Sequence, residues 1–227
     1  MNTFAANKQY MRAFLFDLNG TMIHDMEFHT RAWMHLMNND LGGNFTWDEV
    51  KAQMYGKNPE VLVRMFGADR FTEREMKELS FEKERRYQQE FLPHLALLPG
   101  LHEFLEKAHK AGIVMGIGSA AIPFNIDFVL DNLNIRHYFK AIVSADDVTI
   151  SKPHPETYLS LAKLLEVEPS DCVVFEDVPK GAEAALNAGM QAVILTTTHQ
   201  KHEFDELPNV IHFADDFTGE FFDELVT

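Results

Sequence analysis

The stretch Ala13-Phe14-Leu15-Phe16-Asp17-Leu18-Asn19-Gly20-Thr21 decides the fold. Four consecutive apolar residues read as a short strand buried on both faces, because a strand with one wet face would alternate apolar and polar positions. A carboxylate, an amide and a glycine follow at once, so the strand runs out into a polar loop. The same pairing recurs along the chain. Residues 113–117 lead into Gly118-Ser119-Ala120-Ala121, Ala141–Val143 into Ser144-Ala145-Asp146-Asp147 and then Ser151-Lys152-Pro153, and 172–175 into Glu176-Asp177. Residues 192–195 form a fifth apolar run.

Segments of helical period lie between these runs. Ala111-Gly112 and Ala188-Gly189 mark two helix ends, and Pro123 and Pro155 suit the first turns of two helices. Strand alternating with helix is the βαβ rhythm of a doubly wound parallel sheet, so the prediction is an α/β, Rossmann-like core. Residues 25–93 break that rhythm. They contain no strand-like run and read as helices over 26–37, 47–54, 59–66 and 73–91. Thr46-Trp47-Asp48-Glu49 and Thr72-Glu73-Arg74-Glu75 both fit the capping box, in which two side chains satisfy each other's orphan N–H groups. The expected organisation is a core domain of residues 1–24 and 94–227 with a helical domain of 25–93 inserted after the first strand.

Composition narrows the function classes. The chain has 227 residues, 46% of them apolar, and a formal charge of −15. A chain of this length can bury a full core without disulfides. Its acidity argues against nucleic acid and against an anionic membrane surface as partners, since both require clustered Lys and Arg. No apolar run approaches the ~20 residues of a membrane span, and the polar stretch Met1 to Tyr10 lacks the apolar core of a signal peptide. The single Cys172 lies inside an apolar run and reads as a buried thiol, which predicts a cytoplasmic protein. Residues 203–227 carry eight acids and no Lys or Arg, and read as a solvated, solubilising surface.

Ligands of open parallel sheets bind at the carboxyl ends of the strands. Asp17, Glu176 and Asp177 collect there, and three such charges are costly together unless a cation neutralises them. Oxygen ligands with no His or Cys beside them favour Mg²⁺, which commonly shares its coordination with a phosphate. Lys152 is then a charge partner for that phosphate, and Ser119 and the N–H groups after Asp17 are donors to it. Gly20 allows close approach of the backbone. A carboxylate such as Asp17 can attack phosphorus and form an aspartyl-phosphate. Asp146 and Asp147 either add negative potential or form a turn.

These residues resemble the four motifs of the haloacid dehalogenase superfamily, in order and over nearly the whole chain. Phe16-Asp17-Leu18-Asn19-Gly20-Thr21 resembles the first, Gly118-Ser119 the second and Lys152-Pro153-His154-Pro155-Glu156 the third. Phe175-Glu176-Asp177-Val178-Pro179-Lys180-Gly181-Ala182 resembles the fourth, and His29-Thr30-Arg31-Ala32-Trp33 points to the β-phosphoglucomutase-like phosphatases. The resemblance implies a helical cap over 25–93 that closes and selects substrate. It implies Asp17 as nucleophile and metal ligand, the Asn19 carbonyl, Asp177 and Glu176 as further Mg²⁺ ligands, and Lys152, Ser119 and Ala120 with Gly20 and Thr21 at the phosphoryl group. His29 and Lys57 are the candidate substrate contacts of the cap. The expected activity is hydrolysis of a small phosphorylated metabolite by a monomer or weak homodimer.

One position departs from the pattern. Phosphatases of the family carry a second Asp two residues after the nucleophile, where it serves as acid and base. Here that residue is Asn19, whose amide cannot shuttle a proton, and such help is worth roughly 10²–10⁴-fold. His24, Asp25 and His29 follow closely and are candidates to replace it. A plainer reading puts His24 and Asp25 in the hinge and packs His29 on the first cap helix. Two alternatives remain at this level. One is a phosphonoacetaldehyde-hydrolase-like cleavage of a C–P bond with a cap lysine, Lys57 before a helix capped by Asn58. The other is a phosphate-binding protein that has lost turnover.

Overall fold

The computed structural model describes residues 13–227; the stretch Met1 to Tyr10 read above lies outside them. Strand β1 (Ala13–Phe16) is followed by four helices, α1 (Met26–Met34), α2 (Trp47–Ala52), α3 (Asn58–Phe66) and α4 (Glu73–Phe91). The chain continues through α5 (Leu101–Lys110), β2 (Val114–Gly118), α6 (Pro123–Asn132), β3 (Ala141–Val143), α7 (Glu156–Leu165), β4 (Cys172–Glu176), α8 (Pro179–Asn187), β5 (Gln191–Leu195), β6 (Val210–Ala214) and α9 (Glu220–Leu225). Two compact units result. One joins the chain up to His24 with Ala96–Thr227, and the other is Asp25–Leu95.

The first unit is α/β and Rossmann-like. Its six strands are all parallel, in the order β3-β2-β1-β4-β5-β6. The order reverses between β1 and β4, and a parallel sheet opens a crevice at that point. Alternate residues of the central strands feed two apolar layers. Ala13, Leu15, Val174, Ala192 and Ile194 pack with Tyr158, Leu161 and Leu165 of α7 and with the alanines of α8. Phe14, Phe16 and Phe175 point the other way, onto Phe104 of α5. The Phe104 ring lies 5.4 Å from Phe14, 5.5 Å from Phe175, 5.6 Å from Phe217 and 5.3 Å from Phe222.

The C-terminal stretch is where the reading of the sequence needs correction. Residues 203–227 are not simply a solvated surface. They supply the edge strand β6, and Phe204, Phe217, Phe222 and Leu225 are buried. All five residues of β6 are only half-buried, as befits an edge strand, so its composition is mixed and no continuous apolar run announces it.

The second unit is helical. Trp33, Leu36, Met37, Val50, Val61 and Leu62 form its core. Thr46 with Glu49 and Thr72 with Glu75 form the two capping boxes read from the sequence. The first helix continues past Met34 as a π-helical turn over His35–Asp40. Asn58 is not the cap of α3: Lys57 occupies that position, and the Asn58 side chain donates to Glu84 instead (2.7 Å).

Phe104 links both central strands to the C-terminal segment. Phe104→Ala should cost about 3–5 kcal/mol, as large buried aromatics do. Urea unfolding should show a midpoint lowered accordingly, with the slope unchanged; a midpoint like that of the parent would mean that the site collapses around the gap.

Candidate active site

The strand-order reversal brings the two carboxylate-bearing strand ends side by side. Phe16 pairs with Phe175, and the Asp17 N–H donates to the Phe175 carbonyl (3.0 Å), so the sheet extends one bond beyond β1 and fixes the Asp17 backbone. Glu176 closes β4 and Asp177 follows it. Oxygen atoms of Asp17, Glu176 and Asp177 lie within 4.8 Å of one another, and Glu176 and Asp177 are wholly buried.

Lys152 enters from the loop before α7. Its ammonium donates to Asp17 Oδ1 (2.7 Å) and to Glu176 Oε1 (2.6 Å), and it also reaches the Gly118 carbonyl (3.0 Å) and the Tyr158 hydroxyl (2.9 Å). Burial alone would pull the Lys152 ammonium down, but Asp17 and Glu176 hold it above its ordinary range. One cation does not balance three anions. Burial pushes the Asp17 carboxyl up to about 7 against the pull of Lys152, with Glu176 adding to the rise. Asp177 is likewise raised, by burial and then by Glu176 and Asp17. The uncompensated charge and the all-oxygen donor set fit a divalent hard cation such as Mg²⁺.

Each of the other carboxylates is held by fixed donors. Tyr158 donates to Glu176 Oε1 (2.5 Å) and the Asp177 N–H to Glu176 Oε2 (3.2 Å). Asp177 accepts from Thr21 at Oδ1 (2.9 Å) and from Thr198 at Oδ2. Thr197 donates to the carbonyl of Gly20. Thr21, expected beside the phosphoryl group, therefore commits its buried hydroxyl to Asp177. Gly20 has φ +79°, and a Cβ there would overlap the Asp177 carboxylate. Its glycine is thus required by the carboxylate beside it, in addition to any close approach of a ligand. Gly181, in the first turn of α8, stands against Glu176 in the same way.

Ser119 is buried at the end of β2, where its hydroxyl accepts from the Ala121 N–H (3.1 Å), and Ala120 lies in that turn. Asn19 is half-buried in the loop after β1. Asp146 and Asp147 resolve as a turn: Asp147 accepts from the Ser144 N–H (2.8 Å) and hydroxyl (2.5 Å). Cys172 is a free, buried thiol that burial pushes up to about 12.

The candidates from 24–57 separate clearly. His24 is exposed. Asp25 is fully buried and accepts from the Tyr87 hydroxyl (2.6 Å). His29 stacks on Tyr87 at 3.8 Å, with Nε2 3.2 Å from Asp25 and Nδ1 2.6 Å from the Lys83 amine. Lys83 also bonds Glu84 (2.9 Å), and burial lowers its pKa. His29 is thus part of a buried polar network inside the helical unit. Lys57 is half-buried, and its backbone N–H is tied to Glu60 (3.0 Å).

Reading the sequence missed Tyr158, Thr197 and Thr198. The threonines were within reach, because Thr196-Thr197-Thr198 follows β5 just as the other site residues follow their strands. Tyr158 carried no such signal, since a tyrosine on the buried face of α7 reads as core.

Two outcomes follow. Gly181→Ala should displace the Glu176 carboxylate and lower stability, seen as a reduced urea midpoint; an unchanged midpoint would show that the helix yields instead. In the metal-free protein, folded Asp17 keeps a proton that the unfolded chain has already released between about pH 4 and 7. That contribution to stability is present below pH 4 and is lost as the pH rises through 7. In EDTA, Asp17→Asn should therefore gain stability relative to the parent on going from about pH 5 to pH 8. A constant difference would contradict the raised pKa.

Comparison with known proteins agrees with this geometry. A family model described as haloacid dehalogenase-like hydrolase matches residues 14–195. The β-phosphoglucomutase of Bacillus subtilis is 32% identical over 188 residues, 81% of this chain and 82% of that one. The fructose-1-phosphate phosphatase of Escherichia coli is 30% identical over 190 residues, 79% of this chain and 93% of that one. The crystal structure of β-phosphoglucomutase from Clostridium difficile matches with a TM-score of 0.80 and 26% identity, over 95% of this chain and 97% of that one. The chain is an enzyme of the haloacid dehalogenase-like hydrolase family.

Proposed function

We propose that this enzyme is a Mg²⁺-dependent phosphatase of small phosphorylated sugars that works through an aspartyl-phosphate on Asp17. The observation that carries the reading is the convergence of Asp17, Lys152, Glu176 and Asp177 on the strand-order reversal. The named relatives act on, or are named for, sugar phosphates: one is a fructose-1-phosphate phosphatase and another a β-phosphoglucomutase.

Asp17, Asp177, the Asn19 carbonyl and Glu176, directly or through water, would hold the cation. A bound Mg²⁺ supplies positive charge that offsets the repulsion between carboxylate and phosphate and the charge developing in the transition state. Asp17 presents its carboxylate oxygen to phosphorus. Lys152, already oriented by four oxygen atoms, neutralises a phosphoryl oxygen. Ser119, Ala120 and the backbone about Gly20 complete the cradle, while Thr21 acts through Asp177. The resemblance assigns the helical unit the role of a cap that selects the sugar, with Lys57 as its candidate contact. His29 contributes through the fixed network around it. Asn19 leaves the leaving group without its usual proton donor, so turnover of alkyl phosphates is slow. The apolar setting of the single cysteine supports a cytoplasmic site of action, and the acidic surface supports a monomer or weak homodimer.

A panel of sugar phosphates with Mg²⁺ tests this reading. Asp17→Asn should abolish hydrolysis, and Asn19→Asp should raise kcat by roughly 10²–10⁴-fold. Hydrolysis that survives Asp17→Asn would overturn it.

A further inference from the structure

We propose that Thr198 is a positioning residue of the cation site: its hydroxyl orients the Asp177 carboxylate and so sets the affinity for Mg²⁺. The inference rests on the proposed reading of Asp17, Glu176 and Asp177 as Mg²⁺ ligands. It adds to that reading a residue that lies beyond β5, outside the four motifs.

Sheet register brings Thr198 to the site. Glu176 pairs with Ile194, so the chain leaving β5 runs beside the chain leaving β4. The three threonines that follow Leu195 each take a different partner. The Thr196 N–H and hydroxyl both donate to the Ala214 carbonyl (2.8 and 3.2 Å), which ties the turn to β6. Thr197 donates to the Gly20 carbonyl in the loop after β1. Thr198 donates to Asp177, at its carbonyl oxygen (3.0 Å) and at Oδ2. The first threonine thus anchors the turn to the sheet, while the next two hold the loops that carry Asp17 and Asp177.

The three carboxylates are held by different kinds of donor. Asp17 and Glu176 share the Lys152 ammonium, whose positive charge offsets part of theirs. Asp177 is held by two neutral hydroxyls, Thr21 at Oδ1 (2.9 Å) and Thr198 at Oδ2. A hydroxyl fixes the plane of a carboxylate without cancelling its charge, and each oxygen keeps a second lone pair. When ionised, Asp177 therefore presents a full negative charge in a fixed orientation, which suits a hard cation that demands near-ideal geometry. The Thr198 hydroxyl has one proton, directed at Asp177, so the His199 Nδ1 at 3.0 Å is the donor in the contact between those two side chains. A hydroxyl that accepts one hydrogen bond donates the next more strongly. Partners that orient a ligating carboxylate typically account for about 10–100-fold in metal affinity.

The experiment is calorimetric titration of Mg²⁺ into the full chain, stripped with EDTA and exchanged into fresh buffer, and into four variants. Thr198→Val and Thr198→Ala both remove the hydroxyl, and whichever folds should bind Mg²⁺ about 10–100-fold more weakly than the parent. Thr198→Ser keeps the hydroxyl and should bind as the parent does. Thr196→Val loosens the same turn at its anchor without touching Asp177, and should leave the affinity unchanged. In hydrolysis assays, the Mg²⁺ concentration for half-maximal rate should rise in the variants lacking the Thr198 hydroxyl, with kcat at saturating Mg²⁺ retained. Parent-like binding without that hydroxyl overturns the inference and leaves the Mg²⁺ site standing. An equal loss in Thr198→Ser or Thr196→Val does the same, because the turn and not the hydroxyl would then matter. A parent chain that takes up no Mg²⁺ overturns the cation site itself, and the inference with it.

Discussion

The ammonium of Lys152 stands among buried carboxylates, and the rest of the site is arranged about that fact. It meets Asp17 at 2.7 Å and Glu176 at 2.6 Å from a loop 135 residues away in sequence from the first of these. Removing such a group from water is expensive, and the attraction of opposite charges offsets the cost only where geometry is good and the remaining oxygen atoms are satisfied. Tyr158, Gly118, Thr21, Thr198 and the Asp177 N–H provide that satisfaction. They come from five separate strand ends or the helix that follows one, so the sheet has to be complete before the charges can be buried together.

The helical unit solves a similar problem without an evident anionic ligand. Lys83, Glu84, His29, Asp25, Tyr87 and Asn58 share hydrogen bonds beside an apolar core of Trp33 and its neighbours, with the Lys83 amine 5.2 Å from the Trp33 ring. Every member has its partner, which is the condition under which a buried polar network holds one arrangement. Fixing His29 this way explains why it is unsuited to move as a free acid.

The fold was readable wherever burial was two-sided. Phe14 and Leu15 show no alternation because both faces of β1 are covered, and the same holds for β2, β4 and β5. β6 escaped because His212 interrupts its apolar residues, whereas the other edge strand, β3, is uninterrupted over Ala141–Val143. Asp17, Lys152, Glu176 and Asp177 were legible because their positions at the ends of apolar runs are sequence facts. What was not legible is the set of partners that orient them. A hydroxyl gives no periodic signal, so Thr198 and Tyr158 emerge only when strands far apart in sequence become neighbours. Asn58 illustrates the opposite case: its local pattern suits a cap, and a carboxylate 26 residues away claims it instead.

The acidic C-terminal stretch also supplies the edge strand. Among the described residues β6 is the last strand on its side of the sheet, and unpaired backbone N–H and C=O groups on such a border are a template for another chain. The residues around it, 203–227, carry eight carboxylates and no Lys or Arg. The stretch that first looked like a solubilising surface therefore has two parts, an apolar one that buries Phe204, Phe217, Phe222 and Leu225 and an acidic one that carries more than half of the chain's net charge.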